Sequence, residues 1–247
     1  MDSPKILTAF SIFSNILGFP LKSKPIPSLK TNSITVLFCF FAFWISFPLP
    51  ILGESTPKNV HWDSEQIVFV TANPKENSGQ LDVYTLEDGE WVTILEKIPV
   101  RLGRNGLIFQ ENKREGDGNT PSGVFPIQRI LGKQKREKIR NLEYTQIRKY
   151  HHWSDHPNSK NYNQLISKYE KGGVPLWDSY IYDLFIVIEH NTKPPAVPGF
   201  GSMIFLHVWN EDKPTSGCVG VSKEVLETLV SVLDGRKNPS FFIQIID

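Results

Sequence analysis

A histidine and a cysteine near the C-terminal end of the chain could act as a base and a nucleophile. His207 lies in an apolar run and Cys218 follows eleven residues later, in the sequence FLHVWNEDKPTSGCVGV. A thiol becomes a strong nucleophile when a neighbouring base removes its proton, and a thiolate attacks carbonyl carbons to form thioesters. The pair therefore indicates acyl transfer, provided that the fold brings the two side chains together.

The residues around the cysteine favour the same chemistry. Ser216 and Gly217 precede Cys218, and a glycine lets a substrate carbonyl approach the backbone with no Cβ in the way. We expect the backbone amides of Gly217 and Cys218 to form an oxyanion hole. Ser222 should cap a helix whose N-terminus would lower the thiol pKa. A solitary cysteine is more often a small buried apolar residue, and a solitary histidine is more often structural, so the pair needs support from its setting.

Short β-strands are the main elements expected around this pair. The candidate runs are rich in β-branched and aromatic residues, and an Asp-Gly turn signal separates two of them. One helix is expected over 223–233, because its apolar residues follow helical spacing and Gly235 comes after its end. The expected strands are 67–71, 81–86, 91–98, 124–130, 182–189, 203–208 and 240–246.

Residues 131–180 are polar, aromatic and irregular. We interpret them as an insertion or lid with one or two short helices. The predicted fold is therefore mainly β, with a C-terminal helix and an irregular insertion.

An apolar stretch near the N-terminus predicts export. Residues 34–52 carry no charged side chain, lysines lie upstream of them, and Glu54 follows. This charge order is typical of a signal peptide or a membrane anchor; a buried core helix is the alternative. We predict a leader or anchor over 1–54, a linker over 55–65 and a folded domain over 66–247. The domain would then be extracytoplasmic, in the periplasm or cell envelope, and would meet the membrane only through the N-terminal segment.

The composition argues against several classes of protein. The chain has 247 residues and a formal net charge of +1, whereas a nucleic-acid-binding domain usually shows a basic face. The two cysteines, Cys39 and Cys218, and the six histidines show no metal-ligand spacing. Because Cys39 lies in the apolar stretch, the folded domain would hold one free thiol. We expect no metal and no nucleic-acid partner.

Three segments resemble motifs of the L,D-transpeptidase (YkuD) family. The stretch FLHVWNEDKPTSGCVGVSKEVLETL is similar to the catalytic segment, in which a His precedes a loop and a Ser/Thr-His-Gly-Cys sequence. Residues 114–127, REGDGNTPSGVFPI, are similar to a GD-x-x-TP-x-G strand entry. Residues 153–163, WSDHPNSKNYN, are similar to a segment of a divergent branch. The motifs occur in the expected order, and the resemblance covers residues 101–247.

The resemblance implies a sandwich-like catalytic domain that uses no metal or organic cofactor. His207 matches the family's base, Cys218 its nucleophile, and Val208 the residue whose main-chain carbonyl orients the base. Members act on stem peptides of bacterial peptidoglycan, and carbapenem β-lactams are expected to acylate their nucleophile. Ser216 stands where most members have His, and Gly220 stands where many have Arg or Asn. Both departures bear on how the substrate peptide is held.

Five further residues are candidates for binding the substrate. Trp209 and Thr215 flank the loop between the histidine and the cysteine, and Asp155, Tyr162 and Asn163 belong to the W-x-D segment. Trp209 would wall the cleft or pack in the core. The other three would line the donor or acceptor groove, or form a hydrogen-bonded knot that pins a long loop.

The implied reaction is a cross-linking transpeptidation between stem peptides, in which a thioester on Cys218 is captured by an amine of a neighbouring stem. An L,D-carboxypeptidase or amidase, with water as the acceptor, is the enzymatic alternative. A non-catalytic wall-binding module on a membrane anchor is the alternative from another class. The last predicts a thiol of ordinary reactivity and wall binding that does not depend on Cys218.

Overall fold

The computed structural model describes residues 63–136, 139–209 and 211–246. The leader or anchor expected over 1–54 lies outside the described residues, as does the expected linker up to residue 62. Within the described ranges, no helix has both the length and the apolar character needed to cross a membrane. The domain boundary placed at residue 66 stays a prediction.

The described chain forms β-strands, one α-helix and short 3-10 turns at Gln110–Asn112, Tyr180–Tyr182 and Gly235–Lys237. The helix, α1, spans Lys223–Val232. The strands are β1 Gln66–Ala72, β2 Ser78–Glu87, β3 Glu90–Arg101, β4 Leu107–Phe109, β5 Thr120–Pro126, β6 Arg129–Gly132, β7 Glu143–Gln146, β8 His152–Ser154, β9 Gln164–Ile166, β10 Gly173–Pro175, β11 Leu184–Val187, β12 Phe205–Val208, β13 Val219–Val221 and β14 Ser240–Ile245.

Eleven of these strands form one large sheet, in the order β4-β5-β14-β1-β2-β3-β13-β12-β11-β6-β7, and β10-β8-β9 form a small second sheet. The pairing of β12 with β13 is parallel, whereas β12 and β11 are antiparallel. Parallel neighbours need a crossover between them, and here the loop through Pro214 supplies it. The strands that carry the candidate chemistry therefore lie well inside the large sheet.

Two apolar clusters lie on opposite faces of these central strands. Leu206 and Val219 point into the larger cluster, which α1 covers with Leu226, Leu229 and Val230. Phe205 points the other way, into an aromatic cluster that includes Trp153 and Phe185. This division follows from the two-residue period of a strand, which sends alternate side chains to opposite faces.

The helix begins where the sequence predicts. The Ser222 hydroxyl accepts a hydrogen bond from the backbone amide of Val225 at 3.3 Å, which satisfies one of the free donors of the first turn. Glu224 lies in that first turn, where the helix dipole favours a carboxylate. The helix ends at Val232, one residue before the predicted end.

The prediction of a mainly β fold with a C-terminal helix is confirmed. Two expectations for residues 124–180 were wrong. The strand expected over 124–130 is interrupted between Pro126 and Arg129, because the chain leaves β5 and re-enters the sheet as β6 at a different position. The described part of residues 131–180 contains no α-helix; it forms β7 and the small sheet, with one 3-10 turn beginning at Tyr180.

Candidate active site

The strand register brings His207 and Cys218 to the same face of the large sheet. His207 lies directly opposite Gly220 on the parallel neighbour, and Cys218 comes two residues before Gly220. Residues two apart on a strand point to the same face. Cys218 accordingly packs against the aromatic cluster to which Phe205 belongs. The two side chains are therefore diagonal neighbours on this face, and Gly220, directly opposite His207, contributes no side chain there.

The ring of His207 is fixed as a neutral base. His207 is 2% exposed, and burial lowers its pKa because the charged imidazolium is disfavoured away from water. Its Nδ1 lies 2.9 Å from the carbonyl oxygen of Val208. A carbonyl can only accept, so Nδ1 carries the proton and Nε2 keeps a free lone pair. The main chain of Val208 thus orients the base in the manner that the family resemblance implies.

The thiol of Cys218 rests in its protonated form. Its Sγ donates to the carbonyl oxygen of Met203 at 3.2 Å and accepts from the backbone amide of Phe205. Among the described residues, no hydrogen bond joins Sγ to His207. Burial raises the pKa of Cys218 to about 11, against smaller lowering effects from Phe205 and from the charge of Lys113.

The expectation that a helix N-terminus lowers the thiol pKa was therefore wrong. Helix α1 begins at Lys223, and β13 lies between it and Cys218. The helix-end effect falls off within about one turn. At this distance, desolvation of Cys218 among aromatic side chains raises its pKa more than the helix end could lower it.

This electrostatic setting predicts the pH dependence of alkylation. Iodoacetamide reacts with the thiolate, so its rate at Cys218 should rise about tenfold for each pH unit and level off only near pH 11. We would follow modification of Cys218 by peptide mass spectrometry of the full chain. The same thiol in urea-unfolded protein should level off near its ordinary pKa of about 8.5. A flat rate between about pH 6 and pH 9 would instead indicate a preformed thiolate–imidazolium pair.

Of the two backbone amides expected to form the oxyanion hole, those of Gly217 and Cys218, one is already hydrogen-bonded within the protein. The Gly217 amide donates to Oγ1 of Thr215 at 3.2 Å, so this amide is occupied and its assignment to the oxyanion hole was wrong. The amide of Cys218 makes no hydrogen bond with any described residue. Ser216 is exposed beside it. The Cys218 amide, which belongs to the nucleophile itself, is therefore free to donate to a substrate carbonyl.

Trp209 forms one wall of the site. Its ring lies edge-on to His207, with centroids 5.5 Å apart, and its Nε1 donates to the carbonyl oxygen of Lys213 at 2.8 Å, which closes the loop. A Cβ at Gly220 would come within 2.6 Å of the Trp209 Cβ. Glycine at position 220 therefore makes room for Trp209, and any larger side chain at this position would displace the Trp209 side chain.

Tyr182 packs against the same aromatic cluster as Cys218, and Asp155 lies close enough to influence its hydroxyl. The Tyr182 ring packs against Phe185 and Phe205, with centroids 5.6 and 6.2 Å apart. Burial raises the pKa of Tyr182, and the negative charges of Cys218 and Asp155 raise it further. Burial and the nearby Glu115 carboxylate raise the pKa of Asp155. Sequence reasoning proposed Asp155 but missed Tyr182, which it placed in a strand.

The remaining residues of the W-x-D segment form a knot and do not line a groove. Asn163 is 1% exposed. Its side-chain oxygen accepts from Trp153 Nε1 and from the Met203 amide, and its Nδ2 donates to the carbonyls of residues 190 and 191. Tyr162 is also buried, and its hydroxyl donates to Glu115. Both polar groups are bound by the protein, so the structure favours the knot over substrate contact.

Removal of the Asn163 amide should therefore destabilise the fold. Asn163→Gly tolerates the left-handed φ of +57° at this position, but it leaves the buried Trp153 ring nitrogen and the part-buried Met203 amide without their acceptor. We expect the free energy of unfolding to fall by about 3 kcal/mol, measured by urea denaturation. The exposed Asn158 is the matched control, and Asn158→Gly should cost far less. Unchanged stability together with a raised KM would show that Asn163 contacts substrate instead.

Thr215 also departs from its expected role. Thr215 is 4% exposed, and its hydroxyl contacts the backbone of Gly217 and Cys218. It is not available to bind substrate.

Among the described residues, no three His, Cys, Asp or Glu side chains are grouped so that they could hold a metal ion.

Comparison with known families identifies a matching family model. The model of the YkuD family, described as the L,D-transpeptidase catalytic domain, matches residues 69–238, which is more than half of the chain. The matched range contains both His207 and Cys218. No curated protein and no solved structure matches the chain.

Proposed function

The chain belongs to the L,D-transpeptidase catalytic-domain family, and we propose that it forms cross-links between peptidoglycan stem peptides through a thioester on Cys218. Members of the family are cysteine-dependent acyltransferases that act on stem peptides. The observation that carries the proposal is the pairing of a free cysteine with a buried, neutral histidine on one face of the sheet. Neither group has another evident chemical use in this position.

The first half-reaction begins with a reorientation of the thiol. The S–H turns from the Met203 carbonyl towards Nε2 of His207, which accepts the proton as sulfur attacks the carbonyl carbon of an L-to-D peptide bond. The Cys218 amide donates to the oxyanion that forms. The C–N bond then breaks, and His207 returns the proton to the amine of the departing D-residue. The stem peptide remains as a thioester on Cys218.

The second half-reaction consumes the thioester. An amine of a neighbouring stem attacks the thioester carbon, His207 accepts a proton from that amine, and the C–S bond breaks. The proton returns to sulfur, and the product is a new amide between two stems. Hydrolysis would follow the same course with water as the nucleophile. No step requires a group other than the side chains and amides named here.

Product analysis tests the proposal. Full-length protein would be incubated in two reactions, one with a tetrapeptide donor stem alone and one with the donor and a second stem that carries a free acceptor amine. Dimers should form only in the second reaction. Tripeptide without dimers in both reactions would instead identify an L,D-carboxypeptidase. Intact tetrapeptide in both, together with binding to isolated cell walls that survives Cys218→Ala, would identify a wall-binding module.

The same proposal locates the reaction outside the cytoplasm. The uncharged stretch over 34–52, preceded by lysines, supports export or anchoring of the catalytic domain. An alkaline phosphatase reporter joined after residue 62 should be active in intact cells, because that reporter folds only outside the cytoplasm. An inactive but stable fusion would contradict the assignment.

A further inference from the structure

Three distant parts of the chain meet at the backbone of Cys218. The segments are 102–104, between β3 and β4; 118–120, at the start of β5; and 215–218, before β13. Thr215 forms a parallel bridge with Gly103. The Thr215 amide donates to the Leu102 carbonyl at 2.8 Å, and the Arg104 amide donates to the Thr215 carbonyl at 3.0 Å. These bonds fix Thr215 to a segment more than one hundred residues away in sequence.

The Thr215 hydroxyl holds the backbone on both sides of the Cys218 amide. Its Oγ1 accepts from the Gly217 amide at 3.2 Å and donates to the Cys218 carbonyl at 2.7 Å. The Cys218 amide lies between those two groups along the backbone. One hydroxyl therefore fixes the peptide groups on either side of the amide that remains for an oxyanion.

Thr120 holds the same carbonyl from the other side. Thr120 is completely buried, and its Oγ1 accepts from the Gly103 amide at 2.9 Å and lies 3.4 Å from the Cys218 carbonyl oxygen. The backbone at Gly217, which packs against the segment that carries Thr120, leaves no room for a larger side chain. Gly217 has a φ of +147°, and a Cβ on it would come within 3.0 Å of the Asn119 carbonyl oxygen.

We propose that Thr215 and Thr120 are positioning residues that hold the Cys218 amide in the geometry required to bind the oxyanion. The inference rests on the proposed acyl transfer and adds to it. It assigns a task to the GDGNTP turn, which the sequence presents only as a strand entry, and to Thr215, which the sequence presents as a substrate contact. The two hydroxyls act through the backbone and do not touch the substrate.

Comparison of two reactions of the same thiol separates this role from a structural one. Acylation by a carbapenem passes through an oxyanion, whereas alkylation by iodoacetamide does not. Thr215→Val keeps the shape of the side chain and removes the hydroxyl; Thr215→Ser keeps the hydroxyl. We expect Thr215→Val to slow acylation of the full-length protein by at least about tenfold, because loss of one oxyanion donor costs about 10²–10³-fold. Alkylation should change by less than about threefold, and Thr215→Ser should stay near the wild-type rate in both.

A second variant and a control complete the test. Thr120→Val should give a smaller loss of acylation, because its bond to the carbonyl is longer. Thr85→Val removes another buried hydroxyl, on β2, which accepts a hydrogen bond from Lys237 Nζ. It should leave both rates unchanged. Circular dichroism and thermal melting report whether each variant is folded.

Several results would overturn the inference. Acylation of folded Thr215→Val or Thr120→Val at the wild-type rate would do so, as would an equal loss of acylation and alkylation, or a Thr215→Ser variant as slow as Thr215→Val. If wild-type protein is alkylated but never acylated, the proposed function fails as well, and that result is obtained before any variant is compared.

Discussion

Cys218→Ala is expected to abolish both acylation and peptide products while the protein stays folded. The side chain is the only thiol among the described residues, and removal of a covalent nucleophile in comparable triads costs about 10⁶-fold in kcat. Alanine removes one sulfur atom from the edge of the aromatic cluster, so we expect only a modest loss of stability. Tripeptide and dimer formation would be measured by liquid chromatography with mass detection.

Cys39→Ala is the matched control for this experiment, because it removes the other cysteine of the chain. That variant should retain wild-type rates. Substantial activity in Cys218→Ala would rule out the thioester mechanism, whatever the products.

His207→Gln should give the second largest loss of acylation rate, because it removes the base and retains a buried polar side chain. A positioned general base contributes about 10²–10⁴-fold, so acylation near pH 7 should fall by that factor. The pH dependence is more diagnostic. In the wild type, the rate should be level at neutral pH and fall with acidification, because His207 has a lowered pKa and works only when it is unprotonated. In His207→Gln, the rate should rise about tenfold for each pH unit towards the thiol pKa of about 11.

His190 provides a control for loss of a buried imidazole. It is 6% exposed, and its Nε2 hydrogen-bonds with the carbonyl oxygen of Phe200 at 2.8 Å. His190→Gln should leave the pH profile of acylation unchanged even if it lowers stability. Parallel pH profiles for wild type and His207→Gln would show that His207 is not the base.

The strand that carries His207 follows from local sequence patterns, because its apolar run predicts β12. The parallel strand β13, whose register places Cys218 on the same face, is not among the strands that the sequence predicts. The glycine at position 217 and the capping serine at 222 are also evident in the sequence. The orienting role of the Val208 carbonyl came from the family resemblance, and the structure has the corresponding contact.

The electrostatics of the site could not be predicted in the same way. The thiol pKa depends on burial by the aromatic cluster, and its members Trp153 and Phe185 lie far from Cys218 in sequence. Likewise, the occupied Gly217 amide depends on the side-chain rotamer of Thr215, which no spacing rule determines. Long-range packing, rather than local propensity, decides both properties.

Asn163 shows the same limit for the W-x-D segment. Its four hydrogen bonds join β8, the segment after β11 and the approach to β12. A motif that tightens such a junction looks the same in sequence as one that binds a ligand. Only the position of the amide within the fold separates the two.

Intact-mass spectrometry of the full-length protein incubated with a carbapenem tests the central claim most directly. We predict one carbapenem adduct per chain, mapped by peptide digestion to Cys218, formed much more slowly in His207→Gln and never formed in Cys218→Ala. A folded wild-type protein that gains no adduct, or an adduct that forms at the same rate without His207, would contradict the assignment of an activated acyl-accepting thiol.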